Sequence, residues 1–315
     1  MSALPASPAP RRELDSRPGR SCPLAYRYSP RVFRREPEVR AETIYVAGGL
    51  YGNVEALLAL VDLVEREHAA LVFNGDFHWF DVDPADFERI DAAVARFPAL
   101  RGNVETEIAH DDAQAGCGCA YPADVSDAEV SRSNEILERL RATACEFPGR
   151  RARLRELPMH LVAEVGGARF GIVHGDAASL AGWGFAHDRL GSPSHQAWLE
   201  SAFRESGMDA FASTHTCLPA YRQVAGGVVA NNGAAGMPNF AGTRFGLATR
   251  ISVRPCDPET RVLGIACKGV HLDAVLLDYD LAAWTARFLR SWPAASPAHA
   301  SYFRRITEGP RLPLP

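Results

Sequence analysis

Residues 43–76 read TIYVAGGLYGNVEALLALVDLVEREHAALVFNGD. TIYVAG (43–48) is an apolar run of strand length, and the glycines at 48, 49 and 52 mark a turn behind it. Residues 54–67 space their apolar side chains as a helix does, and ALVFNGD (70–76) is a second buried strand that ends on Gly-Asp. Strand, polar turn, helix and strand in this order predict an α/β sheet with its functional groups at the strand ends.

The rhythm continues outward. Residues 84–97 read as a helix, and FPALRGNVE (97–105) as a short strand ending on Gly-Asn. An irregular stretch from 106 to 130 contains GCGCAYP, and an amphipathic helix follows over 130–145. The second half is richer in strands. MHLVAEVGGARFGIVHGD is a hairpin that turns at Gly166-Gly167 and ends at His174. A helical stretch near 194–206 precedes MDAFASTHTCLP, a strand ending at His215. VAGGVVANNGAAGMPN adds a strand and a Gly/Asn turn, TRISV, RVLGIACKGV and HLDAVLLDYD are late strands, and LAAWTARFLRSW is a closing helix. These boundaries predict one domain over 43–292, a Pro/Arg-rich arm over 1–42 and a tail over 293–315. No internal repeat is visible.

Composition narrows the function classes. Of 315 residues, 47% are hydrophobic and 23% charged, the balance of a chain with a sizeable core. The net charge of −4 predicts no nucleic-acid preference, because polyanion binding needs a basic surface. No apolar run approaches the roughly 20 residues of a membrane span. The first twenty residues hold no apolar signal core, and seven cysteines lack a disulfide spacing, so a cytoplasmic location is expected.

Four strand ends carry polar side chains: Asp76, Asn103, His174 and His215. A carboxylate, an amide oxygen and two imidazoles together suit a divalent metal such as Mn, Fe or Zn.

The ordered series GDFHWFD (75–81), GNVE (102–105), VHGD (173–176), THTCLP (214–219) and NNGAAG (231–236) resembles the motif set of the calcineurin-like metallophosphoesterases. The likeness is greatest to their compact bacterial branch, whose motifs read roughly DxHGN, GDxxD, GNxD, HGD, GHTHxP and NPGS, and it spans about 43–280. It implies a four-layer α/β/β/α sandwich, two mixed β-sheets flanked by helices, with a bimetal site at the strand ends. It further implies a small phosphorylated substrate, with Asp76 bridging two ions and Asn103, His174 and His215 completing the second position. Asp76, Asn103 and His215 would then serve catalysis, the last two steadying developing oxyanion charge.

The first metal position departs from the pattern. Its Asp and His align with Gly49 and Tyr51, the second His of GHTH aligns with Cys217, and Val104 stands where many relatives carry a catalytic His. One or two ions are therefore expected, in an atypical site. Cys217 is either a thiolate ligand or a small buried thiol, and His78, Cys117 and Cys119 are either substitute ligands or packing. Glu105 and Asp81 are read as orienting groups, and Gly49, Tyr51 and Asn53 as pocket or supporting residues. Trp79, Phe80, Tyr121 and Trp183 either line a pocket for an aromatic group or pack the core. The expected function is metal-dependent phosphoester hydrolysis. The alternatives are a scaffold that keeps the fold, as the retromer subunit of this fold is thought to do, and soft-metal or thiol chemistry at Cys217 and Cys117/Cys119.

Overall fold

The computed structural model describes residues 17–111 and 115–315. In chain order the elements begin with β1 (Val39–Arg40), β2 (Thr43–Ala47), α1 (Val54–Glu67), β3 (Ala70–Asn74), α2 (Pro84–Val94), β4 (Ala99–Leu100) and α3 (Asn103–Ala109). Next come α4 (Asp127–Cys145), α5 (Pro148–Glu156), β5 (His160–Val165), β6 (Ala168–Val173), α6 (Gln196–Ser206), β7 (Ala210–Ser213), β8 (Pro219–Val224) and β9 (Gly227–Asn232). The chain closes with β10 (Gly246–Ser252), β11 (Arg261–Cys267), β12 (Val270–Leu277), α7 (Leu281–Ser291) and α8 (Pro297–Glu308).

Two six-stranded mixed sheets result, one ordered β1-β5-β6-β7-β9-β8 and the other β11-β12-β10-β2-β3-β4. Side chains alternate across a strand, and in β2 and β3 both faces are apolar. Ile44, Val46 and Val72 enter the layer between the sheets with Phe170, Ile172 and Leu272. Tyr45, Leu71 and Phe73 turn outward under Leu57 and Leu60 of α1 and Phe87 and Ile90 of α2. The other sheet is covered on its outer face by α6, through Leu199 and Phe203 packed with Phe211 and Val229. Burying each large apolar side chain contributes about 1.5–3 kcal/mol, so these layers hold the sandwich. The expected four-layer α/β/β/α architecture is present.

The strands that carry the ordered motifs run parallel within each sheet: β2, β3 and β4 in one, β6, β7 and β9 in the other. Their C-terminal ends therefore meet on one rim. Asn53 caps α1 there, its side chain accepting from Ala56 N at 3.0 Å.

Three sequence expectations differ from the structure. The arm expected before residue 43 is packed from about residue 24. Tyr26 and Phe33 are buried, Tyr28 Oη donates to the Asp176 carbonyl at 2.7 Å, and β1 pairs with β5. The tail expected after 292 contains α8, begun by a Ser296 cap and Pro297 and packed against α4 and α7. The helices α3 and α5 and the strand β8 lie where none was read. Among the described residues no helix is long and apolar enough to cross a membrane.

Candidate metal centre

Asp76 follows β3, Asn103 opens α3 just after β4, His174 follows β6, and His215 lies two residues beyond β7. All four residues are buried, none more than 5% exposed. His174 Nε2 stands 3.0 Å from Asn103 Oδ1, 3.1 Å from His215 Nδ1 and 3.3 Å from Asp76 Oδ1. Among the described residues, Asp76, His174 and His215 form the one group of three or more His, Cys, Asp or Glu donors close enough to share an ion.

The hydrogen atoms of these groups are committed elsewhere. His174 Nδ1 lies 3.0 Å from the Asn74 carbonyl oxygen, which can only accept, so Nδ1 carries the proton and Nε2 a lone pair. His215 Nε2 faces the Cys119 carbonyl at 3.2 Å, leaving a lone pair on Nδ1. Asn103 Nδ2 donates to the Cys117 carbonyl at 2.9 Å, which aims Oδ1 at the cluster. Four lone-pair atoms thus converge at distances where lone pairs repel.

A proton on His174 Nε2 would be one hydrogen facing three acceptors at once. Burial opposes charge on His174, but the Asp76 carboxylate outweighs it and holds the imidazole above its ordinary value. Burial and then His174 push His215 down to about 3, so at neutral pH it stays uncharged. A cation does reconcile them. Donors about 2.0–2.2 Å from one ion stand roughly 3.0–3.4 Å apart, the spacing that His174 Nε2 keeps from the other three, and an N₂O₂ set of this kind suits Mn, Fe or Zn. The residues present fit a divalent metal.

The supporting shell is as specific. Glu105 accepts from the backbone N–H of Asp76 at 2.8 Å, Gly102 at 2.8 Å and His78 at 3.1 Å. It ties the end of β3 to the start of α3, the orienting part expected of it. Asp76 itself adopts φ 52°, and the Val104 amide donates to its Oδ1 at 3.2 Å. Gly102 is required by close approach: a Cβ there would lie 2.2 Å from Asp76 Oδ1 and 2.9 Å from His174 Cε1.

Where the motif pattern departs, the structure shows a replacement. Gly49 has φ 64°, and Tyr51 folds back over it, so that a Cβ at 49 would meet the ring at 2.9 Å. The Tyr51 hydroxyl contacts Cys217 Sγ at 2.8 Å. Gly49, Tyr51 and Cys217 are thus linked in a chain of contacts: a bare glycine makes room for an aromatic ring that reaches a thiol. Burial raises the pKa values of both Tyr51 and Cys217, which keeps the pair neutral.

Cys217 therefore stands outside the metal-ligating group. His78 does too: it is fully buried, stacked on Phe87, and holds Asp81 Oδ2 through Nδ1 at 2.6 Å. Asp81 orients this histidine and, through its other oxygen, the Trp79 amide, rather than a ligand. Cys117 lends the cluster its carbonyl oxygen, not its thiol. Cys119 does the same for His215, and its thiol lies 3.5 Å from Asn103 Nδ2. Asn53 is a helix cap bound to the Gly236 carbonyl. Phe80 is core, packed against Phe288 and Tyr302.

Above the cluster opens a cavity of about 320 Å³, lined by Asp76, Asn103 and His215 and by Trp79, Tyr121 and Trp183. Trp183 sets its edge against the His215 ring at 5.4 Å and donates Nε1–H to the Cys119 carbonyl. Sequence reading missed Tyr302 and Arg305 of α8, which close the opposite wall. Their signal was the Ser-Pro start at 296–297 followed by helical spacing.

No protein-family model and no curated protein matches the chain. Solved structures do. A hypothetical protein from Pyrococcus horikoshii OT3 is 18% identical, with a TM-score of 0.57 over 85% of this chain and 99% of that one. A metallophosphoesterase from Sphaerobacter thermophilus is 15% identical, with a TM-score of 0.52 over 85% of this chain and 100% of that one. Two sheets in four layers, parallel strand ends on one rim and a buried Asp-His-His group below a cavity agree with that likeness. The chain has the fold of the calcineurin-like metallophosphoesterases.

Proposed function

We propose that the protein is a metal-dependent phosphoester hydrolase that works with a single ion held by Asp76, Asn103, His174 and His215. The observation that carries this reading is the convergence of four lone-pair atoms, each with its hydrogen committed to a carbonyl or absent. A divalent ion held there supplies Lewis acidity toward a phosphoryl oxygen. The chain's own groups do the rest. Glu105 holds the backbone of Asp76 and Gly102 in register. The carbonyl oxygens of Asn74 and Cys119 fix the imidazole tautomers, and Trp183 shields His215 from bulk water.

The first position of the bimetal pattern is occupied by the Tyr51–Cys217 contact, which supports one ion rather than two. All seven cysteines are unpaired, in keeping with a reducing cytoplasm. The substrate on this reading is a small phosphorylated compound that enters the cavity above His215.

The same Tyr51–Cys217 contact favours a second reading, a binding protein that keeps the fold without turnover. Metal content and turnover separate the two. Purified protein is expected to hold about one equivalent of Mn, Fe or Zn, to lose it in Asp76→Ala, and to hydrolyse nitrophenyl phosphate esters when loaded. Loaded protein that is inert on mono- and diesters, or protein that is folded without any ion and inert, would favour the binding reading and end the hydrolase one.

A further inference from the structure

The cavity above the metal centre has a composition that defines what enters it. Among the described residues, Arg305 is the one basic side chain on its wall, supplied by α8. One guanidinium nitrogen of Arg305 donates to the Cys217 carbonyl, while its Nε is buried without a partner. A buried N–H left unpaired costs free energy that a bound acceptor recovers, and a guanidinium presents several donors in a rigid fork suited to phosphate. The remaining wall is largely aromatic: Tyr51, Trp79, Tyr121, Trp183 and Tyr302. Tyr121 and Trp183 stand side by side, ring centroids 6.3 Å apart, both only partly buried. Arg305 also lines an adjoining outer cavity with Arg244, Arg304 and Arg311 against Glu129 and Glu308, the last paired with Arg304 at 2.9 Å, so the approach to the centre carries a net basic charge although the chain as a whole is acidic.

We infer that the substrate is a phosphoester of an aromatic alcohol of about nucleotide size, its phosphate clamped between the metal centre and Arg305 and its ring laid against Tyr121 and Trp183. This rests on the hydrolase reading and adds the substrate class. A cavity of about 320 Å³ lies at the small end of ligand pockets, which admits one ring system and one phosphate and excludes a polymer. Aromatic walls reward stacking of a planar group, and the guanidinium fork selects the anion. Helix α8, which supplies Arg305, lies beyond the stretch in which the ordered motifs occur.

The test is binding, on the full chain with its metal content measured first. Titration calorimetry with inorganic phosphate, phenyl phosphate and glycerol 3-phosphate is expected to rank phenyl phosphate about tenfold or more above glycerol 3-phosphate. Arg305→Gln keeps a donor for the Cys217 carbonyl but removes the charge. It is expected to weaken inorganic phosphate by about tenfold or more, with ion content and Tm unchanged. Tyr121→Leu is expected to bring the phenyl-to-glycerol ratio close to one and leave inorganic phosphate unaffected. Inorganic phosphate bound by Arg305→Gln within about twofold of the parent, or equal affinity of the parent for the two esters, overturns the inference. A chain that holds its ion and turns over esters, yet behaves so, leaves the hydrolase reading standing. A chain with no ion overturns that reading first and this one with it.

Discussion

Replacing Gly49 by alanine tests whether Gly49, Tyr51 and Cys217 form one packed structural unit. Two costs follow from the geometry. Gly49 sits at φ 64°, where any Cβ costs about 1 kcal/mol. The new Cβ would also lie 2.9, 3.0 and 3.1 Å from Cε2, Cζ and Oη of Tyr51. The ring cannot simply withdraw, because its hydroxyl is held by Cys217 and its face packs against Phe80 at 6.2 Å. Overpacking of this kind costs about 1–3 kcal/mol, so Gly49→Ala should lose roughly 2–4 kcal/mol in all. In a Tyr51→Ala background the obstacle is gone and only the backbone cost of about 1 kcal/mol remains. Urea unfolding of the parent, both single variants and the double variant gives the coupling, expected at about 1–3 kcal/mol. Additivity within about 0.5 kcal/mol would refute the claim that glycine and ring depend on each other. The same coupling means that Gly49→Asp alone should not bring in a second ion. Only the triple change Gly49→Asp, Tyr51→His and Cys217→His clears the ring while restoring ligand types.

Three further outcomes are expected. In Gly102→Ala the Asp76 oxygen must retreat by about 0.8 Å (3.0 − 2.2) to admit the Cβ, so metal affinity measured by chelator competition should fall about 10–100-fold; unchanged affinity would contradict the placement of Asp76. Cys217→Ser should keep its full equivalent of metal, because the thiol faces Tyr51 and not the ligand group; loss of the ion on elemental analysis would make Cys217 a ligand after all. Burial and then the Arg35 guanidinium push His160 down to about 4 from its ordinary 6.5. The unfolded chain therefore takes up this proton first, so the stability His160 contributes is present above pH 6.5 and is lost as pH falls toward 4. Discounted for partial exposure, urea unfolding should show about 1 kcal/mol less stability at pH 5 than at pH 7. His160→Gln should flatten that slope by about the same 1 kcal/mol, leaving the part due to other buried groups such as His215.

The four residues that converge were legible in the sequence because each follows a short apolar strand closely and sits beside glycine or a turn. Asp76, Asn103, His174 and His215 needed only the strand periods and the residue chemistry to be singled out. Their neighbours were less legible, since long-range contacts decide them. His78 lies two residues from Asp76 and looks like a spare ligand, yet Asp81 and Phe87 hold it in the core. The carbonyl oxygens of Cys117 and Cys119 orient two ligands, while their thiols, the feature that stands out in the sequence, do not join the cluster. Residues 17–40 hid their order because proline and arginine interrupt any period; Tyr26 and Phe33 are single buried anchors and not a repeating face. Helix α8 was hidden by the proline that in fact starts it.

The two halves of the ligand set come from opposite sheets. Asp76 and Asn103 extend from β3 and β4, and His174 and His215 from β6 and β7. The Asn74 side chain, donating to the Val173 carbonyl at 3.0 Å, crosses the same seam. An ion seated there is a clasp on the sandwich, and its binding free energy is added to that of folding. At a free concentration one hundred times its dissociation constant, the added stability is about 2.7 kcal/mol. Chelation then loosens the join between the layers as well as the chemistry above it, so the folded fraction of this protein becomes a gauge of the metal supply around it.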